Sequence, residues 1–152
     1  MIWRRLIRPL GRDRYRINLP GPLRDLLPVV AEELDQLLDG EDPSLRRLFP
    51  TAYAQDPERD AEYQLLARDQ LIDRRRAAIA EFIATAQADE VSGEQLAAWM
   101  RVINDLRLVL GTRLDVSEDD VDLDPDSPEA PVMELYRLLG YLLEEIVEAL
   151  NG

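Results

Sequence analysis

The chain has 152 residues, with 31 acidic and 18 basic side chains and a net charge of −13. It contains no cysteine and no histidine, and all 18 basic residues are arginine. This inventory excludes disulfides, zinc–thiolate sites, histidine general bases and lysine Schiff bases.

Four serines remain as candidate nucleophiles, and none has a histidine or lysine to activate it. They are Ser44, Ser92, Ser117 and Ser127. We therefore expect a protein that is not an enzyme and that uses no cofactor and no metal.

The length fits one domain with a proper hydrophobic core. No run of about 18 apolar residues is present, so no membrane-spanning helix is predicted. The first residues lack the apolar stretch and the cleavage site of a secretory signal, which makes a cytoplasmic protein the expectation.

Residues 1–24 carry seven arginines and one acid, whereas the rest of the chain carries 11 arginines and 30 acids. Apolar residues alternate with arginines in 2–8 and 14–19, and turn-forming residues occupy 9–13. This pattern predicts a basic β-hairpin over residues 1–19.

Helical spacing of apolar residues predicts a first helix at 22–39, in which Pro28 marks a kink or the true start. Asp42 and Pro43 signal a short helical turn through Leu48. The same Asp-Pro signal predicts a long helix at 57–88.

The helix predicted at 94–110 has a broad apolar face, which should make it the most buried element. Ser92 and Gln95 have the spacing of a capping box at its start. Gly111 is expected to end it, and residues 112–116 to form a short strand beside the hairpin. Asn104 and Asp105 fall on the side opposite the apolar face.

Residues 115–127 form an acidic loop, and a last helix is predicted at 129–150. Acids at Glu118, Asp120, Asp122 and Glu129 have EF-hand spacing, but Leu123 replaces the glycine that the calcium loop needs. A solvated loop is therefore the preferred interpretation. The fold class that results is mainly α: a single-domain helical bundle with an N-terminal β-hairpin.

Two groups of arginines lie within the predicted helices. Arg74, Arg75 and Arg76 diverge around their helix, which favours ion pairs with neighbouring acids over a phosphate grip. Arg107 lies within the apolar arc of the central helix, where a structural ion pair is expected because an unpaired buried charge is costly.

The basic hairpin is the candidate partner-binding surface. Arginine and aromatic residues are enriched at interfaces, and a two-stranded ribbon can also enter a nucleic-acid groove. Nucleic acid, a protein partner and pairing within the molecule all remain open. The candidate residues are Trp3, Arg4, Arg5, Arg8, Arg12, Arg14, Tyr15 and Arg16.

The last helix offers a second surface, because its leucines cover more than one packing seam needs. A homodimer is one use of such a face. We expect this helix to complete the monomer core first, with Gly140 allowing close packing against the central helix.

Three stretches carry a family resemblance: RLFPTAYAQDPERDAEYQLL (47–66), VINDLRLVLGTRL (102–114) and the helix at 136–150. They resemble an actinobacterial family catalogued as a domain of unknown function, which includes the oxidative-stress-responsive transcriptional regulator AosR. The resemblance implies a cytoplasmic, non-enzymatic regulator that contacts the transcription machinery or a sigma factor.

The chain departs from that family in two respects. The regulator branch senses oxidants through paired cysteines, which this chain lacks, so thiol sensing is not carried over. Its last helix has Leu138, Tyr141 and Leu143 in place of the family's tryptophans and glutamine. Because the family is often encoded beside the Clp protease adaptor, an adaptor-like role is the alternative, together with nucleic-acid binding through the hairpin.

Overall fold

The computed structural model describes residues 5–49, 52–114 and 126–152. The prediction of a mainly α chain with an N-terminal hairpin is confirmed, and one further strand is present. The elements are β1 (Ile7–Gly11), β2 (Arg14–Ile17), α1 (Gly21–Leu37), a 3-10 turn (Pro43–Leu45), α2 (Pro57–Thr85), β3 (Glu90–Ser92), α3 (Gly93–Leu114) and α4 (Ala130–Asn151). Most of the predicted acidic loop, 115–125, lies outside the described residues.

The helix starts follow the capping signals in the sequence. Ser92 N donates to Gln95 Oε1 at 2.8 Å, and Gln95 N donates to Ser92 Oγ at 3.1 Å, so the predicted capping box is present. Asp56 accepts a hydrogen bond from Arg59 N at 3.2 Å, with Pro57 in the first turn of α2. Helix α1 continues through Pro28, which therefore does not mark its start.

Helix α3 is the most buried helix, as predicted, because α2 and α4 both pack along it. The Trp99 ring is fully buried and meets Phe82 edge to face, with ring centroids 4.8 Å apart. Its indole Nε1 donates to Thr85 Oγ1 at 2.7 Å, which satisfies the polar atom of a buried aromatic side chain.

The prediction that Gly111 ends α3 is wrong, since the helix continues to Leu114 and residues 112–114 form no strand. A Cβ at Gly111 would lie 3.3 Å from Tyr136 Cε2 and 3.2 Å from Arg47 Nη1. Glycine therefore allows close side-chain contact inside the helix, and tertiary packing outweighs its tendency to end helices.

The strand that joins the hairpin is β3, which no pattern in the sequence predicts. It lies next to β2 and gives the sheet order β1-β2-β3, with all pairs antiparallel. The Arg24 guanidinium of α1 connects the end of β2 with the segment before β3. It donates to Ile17 O at 2.5 Å and to Ala88 O at 3.1 Å. The sheet is thereby tied to α1 and to the end of α2.

The hairpin turn is shorter than the predicted 9–13. Pro9 belongs to β1, at the edge of the sheet, where a missing N–H costs no ladder bond. The turn is formed by Arg12 and Asp13, with φ of 55° and 59°. A Cβ at Gly93 would lie 3.2 Å from Cγ of Asp13, so this turn rests directly on the start of α3.

Candidate functional site

Three arginines of the hairpin, Arg8, Arg14 and Arg16, share the outer face of the sheet. Register places Arg8 opposite Arg16 and Arg16 opposite Glu90, and cross-strand partners point to the same face. Arg14 and Arg16 lie 3.7 Å and 3.2 Å from Glu90 carboxylate oxygens. Arg8 and Arg12 form no ion pair with any described residue. The basic face is therefore neutralised only in part.

The other predicted partner residues are placed apart from that face. Tyr15 is half-buried on the inner side, opposite the fully buried Val91. Arg5 lies 3.9 Å from Glu148 of α4 and lines a groove beside the sheet. Trp3 and Arg4 lie outside the described residues.

That groove, called here the α1–α4 groove, has a volume of about 770 Å³. Its apolar walls come from the chain before α1, the first turns of α1 and the middle of α4, and Arg5, Arg137 and Glu145 stand at its rim. The wall residues are Leu6, Pro20, Pro22, Leu23, Leu26, Leu138 and Tyr141.

Solvent reaches the apolar walls of the groove. Leu26 is 42% exposed, Leu138 38% and Tyr141 52%. Leu142 on the same helix is fully buried, so α4 completes the core on one face and lines the groove on another. The predicted surplus of apolar surface on this helix is confirmed. The groove is held together at its rim, since Leu6 N donates to Glu145 Oε1 at 2.8 Å.

A second exposed apolar patch lies on α2. Leu65 and Leu66 are 80% and 81% exposed, and no residue of α2 before Ala78 is buried. This patch lies on the first half of α2 and shares no residue with the α1–α4 groove.

Arg107 does not form the expected structural ion pair with any described residue. Its guanidinium carbon lies 4.5 Å from the centre of the Tyr136 ring. A Cβ at Gly140 would lie 3.0 Å from Arg107 Nη2, so the glycine leaves room for this side chain. The close approach predicted at Gly140 is therefore made by the Arg107 side chain. The Tyr136 ring face takes the place of the carboxylate expected beside Arg107.

The buried ion pair of α3 lies elsewhere, on Asp105. Arg75 Nε of α2 is 3.3 Å from Asp105 Oδ2, and Arg75 Nη2 donates to Leu48 O at 3.0 Å. Asp105 is only 9% exposed, which corrects its placement on the outer side of α3. Burial raises the pKa of Asp105 from 3.8 to about 6, against the opposing effect of the Arg75 charge.

Arg76 makes the pairs with neighbouring acids that the sequence predicted. Its guanidinium contacts Asp35 at 3.2 Å and also Asp39, both at the end of α1 or just after it. The contacts connect α2 with α1 at the surface, and they neutralise the charge that Arg76 would need to bind phosphate.

Within the described part of the chain, no group of three or more acidic side chains is arranged to hold a metal ion. Of the acids with EF-hand spacing, only Glu129 is described. Among the described helices, none is long and apolar enough to cross a membrane.

A family model, Domain of unknown function (DUF2017), matches residues 4–150. The chain belongs to this family. Helices α3 and α4, with the Arg107–Tyr136 contact between them, are therefore part of a DUF2017 domain. No solved structure matches the chain.

Relatives of this DUF2017 chain include mycobacterial proteins named AosR. The oxidative stress regulators AosR of Mycobacterium bovis and Mycobacterium tuberculosis H37Rv are each 30% identical over 129 residues, which cover 73% of this chain and 59% of theirs. A Mycobacterium leprae relative that also bears the AosR name is 27% identical over 148 residues, 86% of this chain and 68% of its own. The chain thus spans less than two thirds of the length of the first two relatives.

Proposed function

We propose that this protein is a non-enzymatic regulator of the oxidative stress response that binds a protein partner in the α1–α4 groove. Relatives named as oxidative stress regulators support the regulatory role. The observation that carries the binding site is the open apolar groove, whose walls remain exposed although the core is complete.

The groove and its surroundings indicate the chemistry of the partner. A helix of a partner protein with one apolar face would bury Leu26, Leu138 and Tyr141, as amphipathic helices do in apolar grooves. The arginines at the rim and the basic face of the adjoining sheet favour acidic residues beside that apolar face. We place the partner in the transcription machinery, where a sigma factor is the candidate that the family resemblance suggests.

The basic sheet alone does not favour DNA. Glu90 neutralises part of its charge, and the rest of the chain carries 30 acids against 11 arginines. Long-range repulsion between this body and a phosphate backbone opposes binding. A regulator built on this chain also needs an input other than thiol oxidation, because the chain has no cysteine.

The test is complementation of a deletion strain of the source organism under peroxide stress. We expect Leu138→Asp with Tyr141→Asp to leave survival and the peroxide transcript response at the level of the deletion strain, because charge in the groove excludes an apolar helix. Both side chains are exposed, so the variant should keep its thermal unfolding midpoint.

The matched control is Leu65→Asp with Leu66→Asp, which adds the same charge to the other exposed apolar patch. We expect this control to restore the wild-type response. Full complementation by the groove variant, together with failure of the α2 variant, would move the binding surface to α2 and overturn the groove as the site. A deletion strain without any peroxide phenotype would overturn the regulatory role itself.

A further inference from the structure

A second cleft lies between α2 and α3 and shares no residue with the α1–α4 groove. Its lining is mainly polar and charged, whereas the lining of the groove is mainly apolar. Its volume is about 600 Å³, and its polar residues are Arg74, Arg75, Arg101, Asn104 and Asp105. Three cations thus face one carboxylate in a chain where acids outnumber arginines by 31 to 18. This α2–α3 cleft therefore carries an excess of positive side chains, whereas the chain as a whole has a negative net charge.

Two of these arginines have no partner among the described residues. Arg74 on α2 and Arg101 on α3 are exposed, and neither forms a hydrogen bond or an ion pair in the part of the chain that the structure describes. Asn104, one turn after Arg101, is likewise exposed and unpartnered there. Donors from both helices therefore line the same opening without a partner in the described part of the chain.

The floor of the cleft is fixed. Arg75 is held by Leu48 O and lies beside Asp105, so these two charges largely offset one another. Arg75 cannot swing outward without leaving the buried carboxylate unpaired, which is strongly unfavourable. The positive charge that remains available to a ligand is that of Arg74 and Arg101.

We propose that the α2–α3 cleft binds a phosphate or sulfate group between the guanidinium groups of Arg74 and Arg101, with the Asn104 amide as a further donor. Guanidinium groups present paired N–H donors that match the oxygens of such groups. The opening continues past Arg74 and Arg101 to Glu81 and Glu94. These carboxylates would repel an extended polyanion, which favours a small ligand over a nucleic acid.

The charge state of Asp105 is coupled to this site. The groups that face it are Arg74 and Arg75 from α2 and Arg101 from its own helix, and Glu81 and Glu94 stand further along the opening. Protonation of Asp105 would remove the negative charge closest to the bound anion. Binding should therefore tighten as the pH falls through the range in which this carboxyl titrates.

The direct test is calorimetric titration of the full chain with sulfate at pH 7.5, with sodium chloride holding the ionic strength constant. We expect Arg74→Gln with Arg101→Gln to weaken sulfate binding at least about tenfold, because both charge-assisted contacts are lost. The matched control, Arg8→Gln with Arg12→Gln, removes two hairpin arginines that form no ion pair with any described residue, and it should leave the affinity unchanged. Equal losses in both variants, or none in the first, would overturn the site.

Sulfate also serves for the pH arm, because its charge does not change between pH 5 and 8. We expect wild-type affinity to be at least about fivefold tighter at pH 5 than at pH 7.5, because one charge several ångströms from a dianion has an effect of that size even at the dielectric constant of water. Asp105→Asn should bind with little pH dependence. A pH dependence that persists in this variant would show that Asp105 does not cause it and would overturn the coupling.

A last arm compares inorganic phosphate with glycerol 3-phosphate at pH 7.5. A cleft of about 600 Å³ is larger than a bare ion needs, so the ester should bind at least as tightly as the free anion. If only the free anion binds, the ligand is an inorganic ion, and the expectation that the cleft holds a larger organic phosphate is wrong. Binding of neither would overturn it altogether.

Discussion

On the α2 side of α3, Arg75 reaches a buried carboxylate and lies 3.3 Å from Asp105. On the α4 side, Arg107 is packed over the Tyr136 ring at 4.5 Å and against Gly140, with no acid beside it among the described residues. At the α2–α3 interface, called here the charge-paired seam, the arginine pairs with a carboxylate. At the α3–α4 interface, called here the ring-packed seam, the arginine packs on an aromatic ring, in space left by a glycine. The first arrangement depends on both partners and on pH, whereas the second depends mainly on shape.

The largest expected effect is on the charge-paired seam. Arg75→Met should lower the free energy of unfolding by about 3–5 kcal/mol at pH 7.5, because it leaves the Asp105 carboxylate buried without a cation. The measurement is urea unfolding followed by circular dichroism.

The matched control for this prediction is Arg76→Met, the next residue of α2, whose pairs with Asp35 and Asp39 lie near the surface. It should destabilise the fold far less than Arg75→Met, because ion pairs at the surface are screened by solvent. Adding Asp105→Asn to Arg75→Met should recover part of the loss. Equal costs for the two arginine variants would show that the seam does not depend on charge pairing.

A smaller effect is expected from pH. The pKa of Asp105 is raised from 3.8 to about 6 by burial, so the folded chain retains this proton over a pH range in which the unfolded chain has lost it. The stability that this proton contributes is complete below about pH 4 and is lost as the pH rises through about 6. Relative to wild type, Asp105→Asn should therefore gain about 3 kcal/mol in free energy of unfolding between pH 4 and pH 7.5.

The difference in free energy of unfolding between the two proteins at each pH cancels the contributions of the other acids. One of these acids is Asp42, whose pKa is lowered chiefly by its hydrogen bond with the Ser44 hydroxyl. A difference that stays constant with pH would contradict the assignment. Unfolding curves at half-unit steps of pH would resolve it.

The smallest effect is expected on the ring-packed seam. Arg107→Met keeps a long apolar side chain beside Tyr136 and Gly140 and leaves no described carboxylate unpaired. It should change the free energy of unfolding by about 1 kcal/mol or less, the order of a partly exposed cation–π contact. A loss near that of Arg75→Met would mean that Arg107 has an acidic partner after all.

These two seams also show where sequence reasoning succeeds. Helices are readable because apolar spacing and capping residues are local, and Ser92 with Gln95 marked the start of α3 correctly. Asp105 was placed on the outer side because the pattern of one helix does not show that α2 covers that side too. Arg107 is half-buried over the Tyr136 ring, and spacing cannot distinguish a carboxylate partner from a ring on a distant helix.

Two further differences have the same origin. Strand β3 has only three residues, with Val91 as its single apolar one, so no alternation could reveal it. Its place is set by pairing with β2, far away in sequence. The α1–α4 groove could be anticipated only as surplus leucine on the last helix, since its other wall comes from the proline-rich start of α1. The run of arginines at 74–76 suggests a phosphate grip locally, but the α2–α3 cleft also needs Arg101, which belongs to another helix.

The pairing of β2 with β3 has a consequence for how the chain is made. Strand β2 ends at Ile17 and β3 begins at Glu90, so at about 5–20 residues per second the ribosome adds β3 some 4–15 s after β2. An isolated two-stranded hairpin is only marginally stable, and throughout this interval the free edge of β2 can pair with other nascent chains. Arg14 and Arg16 lie on that strand and discourage such pairing through their charge. The residues that later meet Glu90 thus act first as protection against aggregation.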